Sequence, residues 1–432
     1  MGAYRVAMLG WEFPPFVSGG LGTHCFELTK ALAGRGVKID FFMPKTRYDV
    51  KAPWVNVYQV DWELLADDKG GMVRIPLELG PYSSPLLSNA TKSVQFLDKS
   101  HGASKAYDLN FFEAVNLYNY IAGQLILKLH PVQHYDIVHF HDWITARAGI
   151  SIRQKTGIPL VTTVHSTEFD RTAGLWPFGW IEDIEREAVS KSDQVIVVSK
   201  RSRDQIISRL GAPQSKISVI YNAIDSSGFL KKKHSLQDAG REEKVVLYHG
   251  RLSVQKGVEF FLRAAQKVLA LRRDVRFVVS GKGDLLPRLV ELAIDLGIQD
   301  KVSFLGYVSD EQLRHVYATS DVFVLPSVSE PFGITALEAM ASGTPVIVSK
   351  TSGVSELVKT CLVVDFWDVD QLSNKILSVL SYKALYEEMR ENSLGEVGAI
   401  TWDRVAGATV DVYSKAAECV QKGVYSVALG ER

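Results

Sequence analysis

The sequence predicts an α/β protein of two doubly wound parallel-sheet domains. Three observations carry this. At 432 residues the chain is too long for one ordinary core. Short β-rich apolar runs alternate with helical stripes along both halves, the rhythm of βαβ units. Between the halves lies a polar run, Lys231-Lys232-Lys233-His234 through Glu243, that reads as a solvated linker. The predicted division is therefore 1–228 and 229–404, with a further helix to the C-terminus.

Composition narrows the class. Apolar residues make up 46% and charged residues 23%, as in a soluble globular protein. Forty-nine basic residues face 49 acidic ones, which argues against nucleic-acid and membrane-surface partners. Cys25, Cys361 and Cys419 lie far apart without a Cys-x-x-Cys pair, and read as small core residues of a reducing compartment. The N-terminus enters a strand directly, and no apolar run reaches the roughly 18 residues of a membrane span. Val6 excludes a myristoylation motif, and Asn89-Ala-Thr91 means little in a cytoplasmic chain, the expected location.

In order, Tyr4 to Leu9 is the first strand. A Pro/Gly segment from Gly10 to Gly22 precedes a helix from about Thr23 to Gly34, with apolar residues at 25, 28, 31 and 32. Lys38 to Met43 is the second strand. Gly19 and Gly20 lead into a helix N-terminus, where bare backbone approaches a phosphate closely. The spacing is not Gly-x-Gly-x-x-Gly, which weakens a dinucleotide reading, and a structural turn remains the alternative.

From about Thr46 to Ala106 the alternation lapses. So long an excursion is usually functional or disordered. Its aromatics, Trp54, Tyr58, Trp62 and Tyr82, either form a small core or stack on a sugar ring. Alternation returns with a helix near 111–129 and strands near 137–140, 160–164, 194–198 and 216–220. His139-Phe140-His141-Asp142-Trp143 stands at the end of one strand and His165-Ser166-Thr167-Glu168 after the next. A parallel sheet gathers such clusters, with Gly19-Gly20, at one edge. His139, His141 and Asp142 lack a third-ligand motif, so no metal is expected there.

The second series has strands near 245–249, 276–280, 302–305, 322–325, 345–348 and 362–364, with helices near 257–271, 284–296 and 310–319. After its first strand comes Gly250-Arg251-Leu252-Ser253-Val254-Gln255-Lys256-Gly257. Arg251 and Lys256 are two cations on one loop, as a pyrophosphate leaving group requires; each charge-assisted bond contributes about 1.5–3 kcal/mol. Val322 to Lys350 is one βαβ unit, with a loop from Pro326 to Gly333 and a helix from about Thr335 to Ala341. Glu330 in that loop and Glu338 in that helix would repel phosphate but suit hydroxyl groups. The implied ligand carries phosphate and sugar-like hydroxyls.

The run Glu330-Pro-Phe-Gly-Ile-Thr-Ala-Leu-Glu338, with its Glu-x7-Glu spacing, resembles the signature of retaining glycosyltransferases of the GT-B fold, in which two Rossmann-like domains face each other. Gly250-Arg251 through Lys256-Gly257 is similar to the same family's Gly-Arg-x4-Lys-Gly motif. The resemblance covers nearly the whole chain, with 46–106 the least matched. It implies that the final helix, about 405–432, completes the first, acceptor-binding domain, and that the nucleotide sugar sits on the second. Arg251 and Lys256 would bind the diphosphate, Glu330 the sugar hydroxyls, and Glu338 the ribose. Gly19, Gly20, Gly281, Tyr307, Gly333, Ile334 and Thr335 would surround the donor, while His165 and Asp142 position sugar and acceptor.

No cofactor or divalent metal is implied, the nucleotide sugar being substrate. Same-face attack through an oxocarbenium-like state would retain the anomeric configuration, with catalysis resting on positioning and electrostatics. The Trp11-Glu12-Phe13-Pro14-Pro15, His141-Asp142-Trp143 and 107–112 segments lean toward glycogen synthase-like enzymes using ADP- or UDP-glucose with an α-glucan or other carbohydrate acceptor. Val17 stands where classical bacterial glycogen synthases carry a lysine, which leaves a smaller acceptor, or another donor such as GDP-mannose, open. A nucleotide-sugar 2-epimerase would share the architecture without this glutamate segment. A non-catalytic nucleotide-sugar-binding protein would not require Arg251, Lys256 and Glu330 together.

Overall fold

The computed structural model describes residues 4–15, 19–46, 49–61, 71–72, 92–98, 105–109, 111–229 and 243–430. Val17, Trp62, Tyr82, Asn89-Ala-Thr91 and most of the expected linker lie outside them.

The first half runs β1 (Arg5–Leu9), α1 (Gly20–Gly34), β2 (Lys38–Pro44), β3 (Asn56–Val60), β4 (Gly71–Met72), β5 (Lys92–Asp98), β6 (Lys105–Leu109), α2 (Phe111–Gln133) and β7 (Ile137–His141). It continues with α3 (Ala146–Thr156), β8 (Leu160–Val164), α4 (Glu168–Arg171), α5 (Gly179–Lys191), β9 (Gln194–Val197), α6 (Lys200–Leu210) and β10 (Ile217–Val219). Seven of these strands form one parallel sheet in the order β10-β9-β8-β7-β1-β2-β3. The strands β1, β7 and β8 are almost wholly buried, which is why they read as continuous apolar runs.

The second half comprises β11 (Lys244–His249), α7 (Val258–Leu271), β12 (Val275–Ser280), α8 (Leu286–Asp295), β13 (Val302–Gly306), α9 (Asp310–Thr319) and β14 (Val322–Leu325). After these come α10 (Ile334–Ala341), β15 (Val346–Ser349), β16 (Leu362–Val364), α11 (Val369–Ser381), α12 (Lys383–Gly398) and α13 (Trp402–Gly430). Six strands pair in parallel in the order β13-β12-β11-β14-β15-β16. Relabelled from one, that is 3-2-1-4-5-6, the Rossmann order.

The excursion after β2 departs from expectation. Asn56–Val60 joins the main sheet beside β2, with Asp40 in register with Asn56. Tyr58 stacks on Phe42 at 4.9 Å and Trp54 meets Phe26 edge-on at 5.0 Å, so both side chains support the domain rather than reach for an acceptor. Among the described residues, β4, β5 and β6 form a separate antiparallel sheet.

The last helix, α13, crosses back onto the first half. Arg35 at the end of α1 binds Asp403 through Nε and Nη2 at 2.9 and 2.8 Å. Tyr413, fully buried, hydrogen-bonds the ring of His139 at 2.8 Å. Burying residues such as Val412 and Tyr413 contributes about 1.5–3 kcal/mol each. None of the described helices is long and apolar enough to cross a membrane.

Candidate active site

In an open parallel sheet, ligands bind at the carboxyl ends of strands where the strand order reverses. In the first sheet the reversal lies between β1 and β7, and in the second between β11 and β14. The loops leaving these strands carry Gly19-Gly20, Asp142, Arg251-Lys256 and Glu330. Topology thus brings together residues spread over more than 300 positions.

The two halves meet at those loops. A Cβ on Gly19 would stand 3.6 Å from a guanidinium nitrogen of Arg251, and one on Gly20 3.4 Å from Ile334 Cδ1. The start of α1 thus lies directly beside Arg251 of the loop after β11 and the start of α10. Gly19 and Gly20, expected at the donor, face Arg251 and Ile334, expected there from the other half.

Lys256 and Glu330 are joined directly. Lys256 Nζ donates to Glu330 Oε2 at 2.6 Å, and Ser327 Oγ donates to the same oxygen at 3.0 Å. The Glu330 side chain is 8% exposed and that of Lys256 21%. The loops behind them interlock, since Gln255 O accepts Val328 N at 2.9 Å. Gly257 makes this possible: its φ is +63°, and a Cβ there would stand 2.1 Å from Pro326 O. Sequence reading gave Lys256 and Glu330 different ligands; their pairing makes one electrostatic unit.

Gly333 caps α10 with φ +108°, a conformation that side chains rarely adopt, and its Cβ would press on Leu325. It leaves the N–H groups of Ile334 and Thr335 at the start of the helix, unhindered by a cap side chain. One turn later Glu338 accepts Tyr317 Oη–H at 2.8 Å. Burial pushes its carboxyl up to about 7, while the Tyr317 phenol pulls the other way. Gly281 has φ +128° and its Cβ would strike Gly250 O, so here two backbones cross. Tyr307 is exposed, with Lys282 Nζ 5.1 Å from its ring centre.

On the first half, Asp142 has φ +58° and ψ 176°. Its Oδ1 accepts His165 N at 2.7 Å and Ser166 N at 3.4 Å, so the carboxylate shapes the loop after β8. His165 Nε2 lies 3.0 Å from His141 Nδ1. Burial, with His139 nearby, lowers the His165 pKa to about 3, and the imidazole is neutral at physiological pH.

Three features escaped the sequence reading. His24 of α1 packs against His165, ring centres 4.4 Å apart, and its Nδ1 meets Asn222 Oδ1 at 2.8 Å. Position 24 lies three after Leu21 and four before Leu28, a helical stripe on which a histidine was the available signal. Ser329 Oγ, next to Glu330, donates to Asp170 Oδ1 at 2.6 Å across the two halves. Glu356 of the second half accepts Lys200 N and Arg201 N at 2.7 and 2.9 Å, capping α6 of the first. Contacts of such sequence separation leave no local pattern.

Comparison with known proteins agrees with this geometry. The family described as "Glycosyl transferases group 1" matches residues 231–395, and "Glycosyltransferase Family 4" matches 18–227. A glycosyltransferase of Methanocaldococcus jannaschii is 33% identical, with 96% of this chain and 99% of that one covered. A glycogen synthase of Mycobacterium tuberculosis is 28% identical, covering 95% and 94%. A D-inositol 3-phosphate glycosyltransferase of Mycolicibacterium smegmatis is 29% identical, covering 95% and 91%. Among solved structures, sucrose-phosphate synthase of Thermosynechococcus elongatus has a TM-score of 0.74 at 21% identity, covering 95% and 98%. The starch synthase IV catalytic domain of Arabidopsis thaliana, bound to ADP and acarbose, has a TM-score of 0.67 at 18% identity, covering 97% and 100%. Two Rossmann-like sheets joined at their switch points, and relatives matched end to end, place this chain among the group 1 glycosyltransferases of GT-B fold.

Proposed function

We propose that this glycosyltransferase moves a hexose, glucose in the first place, from ADP- or UDP-glucose to an α-glucan or other sugar acceptor with retention of configuration. The supporting observation is that Arg251 and the α10 N-terminus meet Gly19 and Gly20, with the Lys256–Glu330 pair joining the loops that carry them. Arg251, Lys256 and the helix terminus hold the diphosphate and stabilise it as it leaves. Glu330, its Oε2 engaged by an ammonium and a hydroxyl, is a poor nucleophile and a good acceptor for sugar hydroxyls. That favours same-face attack, with the departing phosphate taking the acceptor proton. Glu338 receives the ribose hydroxyls, and Tyr307 flanks the base. His165, held by Asp142, faces the transferred sugar. With two cations at the diphosphate, transfer is expected to survive excess chelator; loss rescued by magnesium would overturn this.

A second reading keeps the chemistry and changes the substrates to a donor such as GDP-mannose and a small or lipid-linked acceptor. Val17 at the lysine position of classical glycogen synthases favours it, as does the inositol-phosphate glycosyltransferase relative. Labelled ADP-, UDP- and GDP-sugars assayed against glucan, trehalose-type and phosphorylated acceptors separate the two. Glucan elongation supports the first reading, and transfer confined to a small acceptor replaces it with the second. No transfer from any donor would overturn both.

A further inference from the structure

Under the Gly19-Gly20 side of the cleft lies a group of imidazoles that glycosyl transfer does not fully use. His24 comes from α1, His141 ends β7 and His165 follows β8. One ring nitrogen of each lies within 4.8 Å of the other two. His24 is 4% exposed and His141 not at all. The buried Nε2 of His24 has no hydrogen-bond partner. Leaving such an atom unmatched costs about 1–3 kcal/mol.

Its other nitrogen explains its state. His24 Nδ1 stands 2.8 Å from Asn222 Oδ1, a carbonyl-type oxygen that accepts Nδ1–H and leaves the lone pair on Nε2. A ligating histidine is held in this way, with an outer acceptor fixing its tautomer. His141 Nδ1 and His165 Nε2 are 3.0 Å apart. Without an ion they share one hydrogen bond. Two nitrogens each about 2.0–2.1 Å from one ion can have nearly the same separation.

We propose that His24, His141 and His165 bind a borderline divalent transition ion of the Zn2+ type, His24 through Nε2 and the other two through the nitrogens that face each other. Three imidazoles and no carboxylate select zinc, cobalt or nickel over magnesium and calcium. Trp402 of α13 meets His24 edge-on at 5.4 Å and covers the cluster. A bound ion would tie α1 to the ends of β7 and β8 and withdraw His165 from the sugar side, so occupancy is expected to inhibit transfer. The binding proposal does not rest on the transfer reading.

Titrating the metal-free full chain with Co2+ tests it. The expected result is one Co2+ per chain with the visible absorption of a nitrogen-ligated ion of low coordination number, displaced by Zn2+ and untouched by Mg2+. X-ray absorption of the zinc-loaded chain should show three imidazoles at about 2.0–2.1 Å. Asn222→Ala, which removes the outer acceptor, should weaken binding by about 10–100-fold, and His24→Asn at least as much. Absence of a stoichiometric site overturns the proposal, as does a shell of fewer than three imidazoles or an unchanged affinity in His24→Asn. Should either variant fail to fold, the absorption spectrum of the unaltered chain decides alone.

Discussion

Glu330 and Glu338 are eight residues apart in sequence and are expected to fail differently. On the proposed reading Glu338, bound to Tyr317, meets the donor ribose and makes similar contacts in ground and transition states. Glu338→Ala should therefore raise the donor KM more than it lowers kcat. In the proposed transfer Glu330 faces a sugar that gains positive charge, and Glu330→Ala should lower kcat by about 10²-fold or more. The alanine also leaves Lys256 without its 2.6 Å partner, so Lys256→Ala in the Glu330→Ala background should add far less than it does alone. Steady-state kinetics, with circular dichroism confirming both folds, reads all three. A near-normal kcat in Glu330→Ala would make this carboxylate merely structural.

Glu338 also yields a pH dependence. Burial raises Glu338 from an ordinary 4.5 to about 7, so it is largely neutral at pH 6 and largely ionised at pH 8. On the ribose assignment the ionised form accepts both ribose hydroxyls. Donor KM should fall as pH rises through about 7, and Glu338→Gln should flatten that profile. The sign for stability is opposite: a carboxyl whose folded pKa is raised loses stability as pH climbs from about 4.5 to about 7. A KM independent of pH in the unaltered enzyme would refute the ribose assignment.

Among the elements, what the sequence revealed depended on whether the constraint was local. The Gly250–Gly257 and Glu330–Glu338 segments were legible because each performs its task within one loop and helix start, where spacing is read directly. β3 was missed because Asn56 is exposed and Val57, Tyr58 and Gln59 are half-buried, so the strand shows neither a continuous apolar run nor clear alternation. His24 was missed because its task depends on partners 117 and 141 residues away. Gly257 shows a local residue with a distant reason: it carries φ +63° so that Pro326 O can lie against it. Gly257→Ala should force the loop after β11 away from the loop after β14, costing about 2 kcal/mol or more. A melting temperature lower by several degrees, with a raised donor KM, is expected in thermal and kinetic assays; unchanged values would separate this glycine from the site.

At the scale of the whole molecule, the proposed donor would lie between two bodies. Among the described residues the polar contacts between them include Ser329 to Asp170, Glu356 to the N-terminus of α6, and Tyr221 Oη to Glu356 at 3.1 Å, beside an apolar patch in which Val198 and Ile224 join Phe332 and Leu337. Interfaces of this kind permit hinge motion, and a ligand shifts such an equilibrium only through contacts that differ between the two states. A diphosphate between Arg251 and the Gly19-Gly20 loop touches both bodies only when they are together, so it favours closure. Scattering profiles of the chain with saturating ADP or UDP should therefore show a smaller radius of gyration than without. Ser329→Ala removes one buried bond of the closed state, donated at 2.6 Å, and should enlarge the nucleotide-free radius while leaving the nucleotide-bound one nearly unchanged. A profile that does not change at saturation, in either chain, would mean that the cleft is rigid and that the Ser329–Asp170 bond serves stability alone.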